Sequence, residues 1–335
     1  MGKQRGLAAI GVVVVAVAAV VGAVVVGVVA LRGEDEPKRD EQKSAAAGVE
    51  HITIPVGDMT FDALAAGPED GEPVILLHGF PQTSESWRAQ IEALADAGYR
   101  AIAPDQRGYS PGARPQQVAD YGIVELADDV TGMADALGID RFHLVGHDWG
   151  GGVAWTYATL HPDRLLSLEV LATPHPRAFA AELGEARSDQ ASRSSYMDLF
   201  RQPGYEDELL ANDGELLHNM MVAGSGMPQA SYDTYVKTLG TPEALGAALN
   251  WYRAMDLGPV DALPPITTPT LYVFATDDIA FSRKTADATE QFVEGPYQYE
   301  VLDGVSHWIS EEAPDQVSDL LLTHVAKYGD DASSR

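Results

Sequence analysis

The stretch FHLVGHDWGGG (residues 142–152) joins a short apolar segment to a run that is typical of a helix. Residues 142–145 are predicted to form a buried strand. Gly146 and Gly150 are small enough to let the backbone bend between strand and helix, which would hold Asp148 in a strained turn above the sheet. The pattern G-x-D-x-G alone is also compatible with an aspartate that caps the next helix. Its place between an apolar strand and a helix favours the sharp turn.

Strands and helices alternate on both sides of this turn. Strands alternating with helices of this length predict a mostly parallel, eight-stranded sheet with helices on both faces, an α/β fold. The predicted strands are 51–56, 59–65, 74–77, 100–103, 142–145, 165–172, 268–274 and 297–302. The predicted helices are 84–97, 118–137, one that begins near 149, 282–292 and 314–328.

The alternation stops in the second half of the chain. Residues 174–265 are mostly helical in pattern, with Gly, Pro and acidic breaks, and divide the core into 49–173 and 266–328. Such an insertion predicts a lid over the carboxyl ends of the strands, where doubly wound sheets bind ligands. The last residues, 329–335, are predicted to be a disordered tail.

The N-terminal segment has the pattern of a membrane anchor. Residues 6–31 contain no charged side chain and are long enough to cross a bilayer as a helix. The prediction is a cytoplasmic stub (1–5), a transmembrane signal anchor, a charged linker (32–48) and an extracytoplasmic catalytic domain. A small-residue site that ends at Ala30 leaves cleavage and secretion as the alternative.

Composition excludes several classes of function. The 50 acidic and 22 basic residues give a formal net charge of −28, which repels nucleic acid. The chain has no cysteine, so a disulfide framework and a thiolate metal site are impossible. Scattered histidines and the lack of a phosphate-binding glycine motif predict neither a metal nor a cofactor.

An aspartate at the tip of the turn predicts nucleophilic catalysis. A carboxylate is already ionised at neutral pH and can attack an sp³ carbon directly, forming an ester that an activated water must break. His307, after the last predicted strand, is the candidate base. Its acid partner is predicted after strand 268–274, where Asp278 is preferred over the adjacent Asp277.

A second turn, HGFP, follows strand 74–77. His78, Gly79 and Pro81 would shape this turn so that the N–H of Phe80 points towards the site. Together with the N–H of Trp149 it would hold the oxyanion that forms when water attacks the ester.

These motifs together resemble the epoxide hydrolases of the α/β-hydrolase fold. The resemblance covers about residues 50 to 328. The matching segments are HGFP (78–81), DQRGYS (105–110), the Asp148 turn, the strand end at Asp278 and DGVSHW (303–308).

The predicted lid extends the resemblance. Epoxide hydrolases carry two lid tyrosines that donate to the epoxide oxygen, and YMDLFRQPG (196–204) and NWYRAM (250–255) look like their segments. The resemblance therefore implies that Tyr196 and Tyr252 act on the leaving oxygen. It implies hydrolysis of a small hydrophobic epoxide to a vicinal diol, with water as the only co-substrate.

Two alternatives remain open from the sequence. A haloalkane or haloacid dehalogenase of the same fold also uses an aspartate nucleophile, although Phe80 stands where haloalkane dehalogenases usually carry Asn. A non-catalytic binding protein on a hydrolase scaffold is the other. The identity of the epoxide and the oligomeric state are not predicted.

Overall fold

The computed structural model describes residues 48–256, 258 and 263–329. Within these ranges no helix is long and apolar enough to cross a bilayer. The predicted stub, the predicted transmembrane helix (6–31), almost all of the charged linker and the tail from residue 330 lie outside the described residues.

The core is one sheet of eight strands in the order β1-β2-β4-β3-β5-β6-β7-β8. β1 and β2 form an antiparallel hairpin, β2 is antiparallel to β4, and the other neighbours are parallel. The predicted mostly parallel, eight-stranded α/β sheet is confirmed. The strands are β1 (Glu50–Val56), β2 (Met59–Ala66), β3 (Pro73–Leu77), β4 (Arg100–Pro104), β5 (Phe142–His147), β6 (Leu165–Leu171), β7 (Thr270–Asp277) and β8 (Tyr297–Ser306).

The sequence patterns of the strands follow their burial. Every residue of β5 and β6 is buried, as expected for central strands of a parallel sheet that is covered on both faces. The edge strand β1 alternates between exposed and more buried positions. Gly57, with φ of +58°, allows the tight turn between β1 and β2.

The core helices are shorter than the sequence predicted at two places. The predicted helix 84–97 is a 3₁₀ turn, Ser84–Trp87, followed by an α-helix, and the predicted helix 118–137 is interrupted at Gly122. Gly122 has extended backbone angles, φ −62° and ψ 154°, and stands at the N-cap of the second segment. The core α-helices before the insertion are α1 (Arg88–Asp96), α2 (Ile123–Ala136) and α3 (Trp149–Leu160).

Among the described residues, six α-helices lie between β6 and β7 and form a helical insert within residues 174–265. The chain leaves helical geometry from Ala211 to Gly214, where Asn212, Asp213 and Gly214 have positive φ. The insert helices are α4 (Pro176–Leu183), α5 (Asp189–Arg193), α6 (Met197–Phe200), α7 (Tyr205–His218), α8 (Gln229–Leu239) and α9 (Pro242–Ala254).

The last two strands run further than the sequence predicted. β7 starts two residues after position 268 and continues to Asp277, and β8 continues to Ser306 rather than ending at 302. In the parallel register Asp277 is opposite Ser306. The residues that follow, Asp278 and His307, therefore lie beside each other. The predicted helix 282–292 is α10 (Arg283–Asp287) and a 3₁₀ turn; α11 (Ile309–Glu312) and α12 (Pro314–Tyr328) complete the core.

Candidate active site

Asp148 stands at a sharp bend between β5 and α3. Its φ of +50° and ψ of −122° are angles that residues other than glycine rarely adopt. A Cβ on Gly146 would lie 2.3 Å from the carbonyl oxygen of Gly150, and a Cβ on Gly150 would lie 2.2 Å from that of Leu77. The bend therefore requires glycine at both flanking positions.

The HGFP turn lies directly against Asp148. The N–H of Phe80 donates to Asp148 Oδ1 at 2.8 Å, and a Cβ on Gly79 would stand 2.3 Å from the Cβ of Asp148. Trp149 is the first residue of α3, so its N–H is one of the first-turn amides that have no partner within the helix. The peptide bond between Phe80 and Pro81 is cis.

His78 anchors this turn from inside the protein. Its Nε2 accepts from the N–H of Gln106 at 3.1 Å, and its Nδ1 lies 2.9 Å from the carbonyl oxygen of Gly79. Complete burial lowers the pKa of His78 to about 4, so the ring is neutral at pH 7. A neutral ring with Nδ1 protonated satisfies both contacts.

His307 lies between two carboxylates. Its Nδ1 is 2.9 Å from Asp278 Oδ2, and its Nε2 is 3.4 Å from Asp148 Oδ2. Asp278 is 2% exposed and its other oxygen, Oδ1, accepts from the N–H groups of Ala280 and Phe281 at 2.7 and 2.9 Å. Asp277 is exposed at the end of β7. The structure thus places Asp278, rather than Asp277, beside the imidazole.

The three side chains shift one another's titration. Burial alone would raise the pKa of Asp148, but the hydrogen bond and charge of His307 hold it below its ordinary value. Burial alone would lower the pKa of His307, but the charge of Asp278 and the hydrogen bond to Asp148 raise it to about 10. At neutral pH the resting site therefore holds an imidazolium at His307 beside the carboxylate of Asp148.

Tyr196 and Tyr252 come from the insert and meet at this site. The ring of Tyr252 lies edge-on to those of Trp149 and Phe80, with centroids 5.0 and 5.3 Å away, and 6.2 Å from the ring of Tyr196. Burial raises the pKa of both phenols, and the charge of Asp148 raises it further. Both hydroxyls therefore keep their protons at neutral pH.

A cavity of about 460 Å³ opens onto Asp148. Trp149 and Tyr196 contribute to its wall, and much of the remaining lining is apolar. A volume of this order is typical of sites for small organic ligands. Within the described part of the chain, no group of three or more His, Asp or Glu side chains could hold a metal ion.

Sequence reasoning missed a polar network behind His307. His147 Nε2 lies 2.8 Å from the carbonyl oxygen of His307, and His147 Nδ1 lies 2.8 Å from Gln82 Oε1. Gln82 Nε2 donates to Glu311 at 2.9 Å, which also accepts from the hydroxyl of Tyr235 at 2.5 Å. Gln82 and His147 adjoin recognised motifs and could have been suspected. Glu311 and Tyr235 had no such signal, because only the fold brings them together.

Besides the Asp–His–Asp alignment, a Ser–His–Glu alignment lies in the core, where its serine and histidine are completely buried. Ser167 Oγ is 2.6 Å from His143 Nδ1, and His143 Nε2 is 2.9 Å from Glu72. Ser167 also donates to Glu169, which accepts from His324 at 2.7 Å. Ser167 and His143 are 0% exposed, so no substrate can reach them and the alignment is structural.

The sheet order, the strand-to-helix bend and the three-residue Asp–His–Asp alignment define a class of protein. A family model described as the alpha/beta hydrolase fold matches residues 72–314. The chain belongs to this family.

Its relatives include epoxide hydrolases. It is 34% identical to epoxide hydrolase A of Mycobacterium tuberculosis over 76% of this chain and 90% of that protein. It is 36% identical to the AB hydrolase superfamily protein YfhM of Bacillus subtilis, over 83% and 98% of the two chains. Among solved structures, epoxide hydrolase A of Mycobacterium thermoresistibile is 28% identical and has a TM-score of 0.74, covering 84% of this chain and 99% of that one.

Proposed function

We propose that the protein hydrolyses an epoxide to a vicinal diol through a covalent ester on Asp148. The observation that carries the proposal is the contact of this carboxylate with the Asp278–His307 pair, together with two tyrosines of the insert that are near enough for its charge to raise their pKa. The relatedness to proteins named epoxide hydrolases supports the same conclusion.

In the first step an oxygen of Asp148 attacks a ring carbon of the epoxide. The C–O bond of the ring breaks and its electron pair stays on the oxygen, which takes a proton from Tyr196 or Tyr252. An alkoxide is a poor leaving group unless its charge is met as it forms. Each well-placed phenol in this dry site contributes roughly 2–4 kcal/mol to that stabilisation.

In the second step water breaks the ester. Esterification removes the negative charge of Asp148, one of the two carboxylates that hold the pKa of His307 near 10. The pKa of His307 then falls, its proton passes to the tyrosinate left by the first step, and the neutral imidazole that results can take a proton from water. The hydroxide adds to the ester carbon, and the N–H groups of Phe80 and Trp149 hold the oxyanion.

Collapse of this intermediate breaks the ester C–O bond. The leaving diol oxygen takes the proton of the newly formed carboxyl, and Asp148 is again a carboxylate. His307 keeps the proton that it took from water and is an imidazolium again, so the cycle consumes one water and no other reagent.

Trapping of the ester tests the proposal. His307→Gln cannot activate water, so incubation with styrene oxide should add the mass of one epoxide to the protein, and the adduct should map to the peptide that contains Asp148. The wild type in ¹⁸O-water should incorporate label into Asp148 during a single turnover. Asp148→Asn is the control and should carry no adduct.

Diol formation by His307→Gln at the wild-type rate would contradict the role of His307. Halide release from a haloalkane, with no diol from any epoxide, would instead identify a dehalogenase.

We also propose that residues 6–31 anchor the protein and hold the catalytic domain outside the cytoplasm. The support is the sequence alone, which has no charged residue in this range. The full chain should stay in the membrane fraction after a carbonate wash, and a chain starting at residue 49 should not. Protease added to intact cells should remove the catalytic domain. Recovery of the full chain in the soluble cytoplasmic fraction would contradict this proposal.

A further inference from the structure

The cavity at Asp148 is elongated and runs along one side of α3. Its lining includes Trp149, Gly152, Thr156 and Leu160, which recur at helical spacing. At 1.5 Å per residue these positions span roughly 16 Å of the helix. Such a cavity fits an extended chain better than a compact ring.

The two ends of the cavity differ in exposure. Asp148, at the inner end, is 6% exposed, whereas Val124 and Leu160, at the outer end, are 47% and 44% exposed. The mouth therefore lies where the first turn of α2 meets the end of α3. A substrate whose epoxide reaches Asp148 would extend its chain towards this mouth.

The walls offer few polar groups to a ligand along the way. The hydroxyl hydrogens of Thr156 and Thr159 are already donated to the carbonyl oxygens of Gly152 and Trp155, each at 2.9 Å. The hydroxyl of Thr173 donates to the carbonyl oxygen of Asp148 at 2.6 Å. Since these hydroxyl hydrogens are already used, the middle of the cavity suits a hydrocarbon chain.

The charged side chains that line the cavity all have the same sign. The ionisable carboxylic side chains among the described lining residues are Asp148, Glu125 and Asp256, and no Lys, Arg or His is among these residues. Glu125 and Asp256 are exposed. The sequence LGPVDA, residues 257–262, which includes the positions that are not described, adds no basic residue.

No arginine lines the cavity, but Arg177 Nη1 donates to the carbonyl oxygen of the lining residue Leu263 at 3.5 Å and Arg201 Nη2 to that of Met255 at 2.9 Å. Arg177 lies over the ring of Phe292 at 4.7 Å, Arg193 pairs with Asp189 at 2.8 Å, and Arg253 pairs with Glu206. A carboxylate at the end of a substrate chain would meet Glu125, next to Val124 at the mouth, and no Lys, Arg or His among the lining residues.

We propose that this cavity takes epoxides carried on an elongated, uncharged hydrophobic chain and discriminates against chains that end in a carboxylate. This inference rests on the proposed epoxide hydrolysis. Like charges at the mouth raise the free energy of the anionic complex, and no partner compensates the carboxylate.

A matched pair of substrates tests the proposal. The full-length protein is given 10,11-epoxyundecanoic acid or its methyl ester, each below its aggregation concentration, and diol formation is followed by mass spectrometry. At low ionic strength kcat/KM for the ester should exceed that for the acid by about tenfold or more. Equal values, or a preference for the acid, would overturn the proposal.

A charge variant assigns the discrimination to the mouth. Glu125→Gln should lower the ester-to-acid ratio by raising kcat/KM for the acid, and glutamine keeps the length of the side chain while removing its charge. Glu92→Gln, on the exposed face of α1, removes the same charge outside the cavity and should leave the ratio unchanged. Equal ratios in the two variants would overturn the role of the mouth.

Styrene oxide separates the two levels of the proposal. If styrene oxide gives a diol but acid and ester react equally, the inference about chain charge is contradicted and epoxide hydrolysis is supported. No diol from any of the three epoxides would remove both.

Discussion

Asp148 is a buried carboxylate that the protein keeps charged. Burial favours the neutral acid, but the N–H of Phe80 at 2.8 Å and Nε2 of His307 at 3.4 Å favour the anion. The strained backbone of Asp148 and the close approach of Gly79 to its Cβ hold this anion in one position. An anionic nucleophile therefore faces the cavity without a separate base to activate it.

The two tyrosines give a prediction about the first step. Tyr196→Phe and Tyr252→Phe should each lower kcat/KM for an epoxide by about 10²-fold, because one donor to the developing alkoxide is lost. The double variant should form no ester with Asp148 on the time scale of the wild-type reaction. Rapid-quench mass spectrometry of the protein measures ester formation directly.

Tyr205→Phe is the matched control for this prediction. Tyr205 is also in the insert and packs against Phe200, with centroids 6.1 Å apart, but its pKa is raised by burial and by the charge of Glu208 and not by that of Asp148. Its rate of ester formation should remain within twofold of the wild type. A wild-type rate in both active-site variants would show that the leaving oxygen is stabilised by other groups.

Residues that follow strands could be predicted from the sequence, and residues that meet only through the fold could not. Asp148, Asp278 and His307 each come directly after a strand, and chain order was enough to select them. The sequence preferred Asp278 over the adjacent Asp277, and the register of β7 against β8 gives the physical reason, because Asp277 ends β7 opposite Ser306. Glu311 reaches Gln82 across 229 positions of sequence, and no local pattern signals that contact.

At the scale of elements, α3 shows how packing decides the effect of one substitution. A Cβ on Gly150 would lie 2.2 Å from the backbone oxygen of Leu77, whereas a Cβ on Gly152 meets no atom within 4 Å. Gly150→Ala should therefore destabilise the protein by about 2 kcal/mol or more, since the backbone must move. Gly152→Ala should stabilise it by about 0.5–1 kcal/mol through helix propensity.

Urea unfolding of the two variants measures both effects on the same helix. The pair is self-controlled, since the same residue type is exchanged two positions apart. Equal changes in the free energy of unfolding would mean that the bend relaxes without cost.

Helix lengths were less predictable than helix existence. The apolar pattern of residues 118–137 continues across position 122, but Gly122 adopts an extended conformation and begins a new helix there. Periodicity detects which face is buried and does not report such a local break. The insert was predicted as helical in bulk, while its turn of positive φ at Asn212 to Gly214 had no clear sequence signal apart from Gly214.

Several hydrogen bonds join the insert to the core, and one of them ends on a buried carboxylate. The hydroxyl of Tyr235, in α8, donates to Glu311, in α11, whose side chain also accepts from Gln82 beside the HGFP turn. Tyr235→Phe should lower the free energy of unfolding by about 1–3 kcal/mol, because a buried carboxylate loses a donor. Thermal unfolding followed by circular dichroism measures the change.

Tyr232→Phe, one turn earlier in the same helix, is the control. The exposed fractions of the two tyrosines are similar, 7% for Tyr232 and 2% for Tyr235, so the loss of packing is matched. The Tyr235 variant should be the less stable of the two. The reverse order would show that the contact with Glu311 contributes nothing to stability.

At the scale of the molecule, three buried histidines make stability depend on pH in opposite directions. Burial lowers the pKa of His78 to about 4 and that of His175 to about 3, below the ordinary 6.5. The pKa of His307 is instead raised to about 10, so its favourable contribution is complete below 6.5 and is lost as pH rises through 10. The buried neutral histidines, His78 and His175, instead lower the free energy of unfolding as the pH falls below 6.5.

His175 makes this acid limit testable. Its Nδ1 accepts from the N–H of Arg177 at the start of α4, and its ring stacks on Phe292 with centroids 5.0 Å apart. Between pH 6.5 and about 3, His175 is protonated in the unfolded chain but not in the folded protein. The free energy of unfolding therefore decreases as the pH is lowered through this range. One such histidine contributes a slope of up to about 1.4 kcal/mol per pH unit.

His175→Asn removes the titration while keeping an acceptor suited to a helix N-cap. The variant should be less stable at pH 7, because the stacked ring is lost, but its free energy of unfolding should fall less steeply between pH 6.5 and 4. Urea unfolding at several pH values measures the slope, and His51→Asn, at an exposed position of β1, should leave it unchanged. A His175→Asn slope equal to that of the wild type would mean that this histidine is protonated in the folded state, and that acid destabilisation has its origin elsewhere.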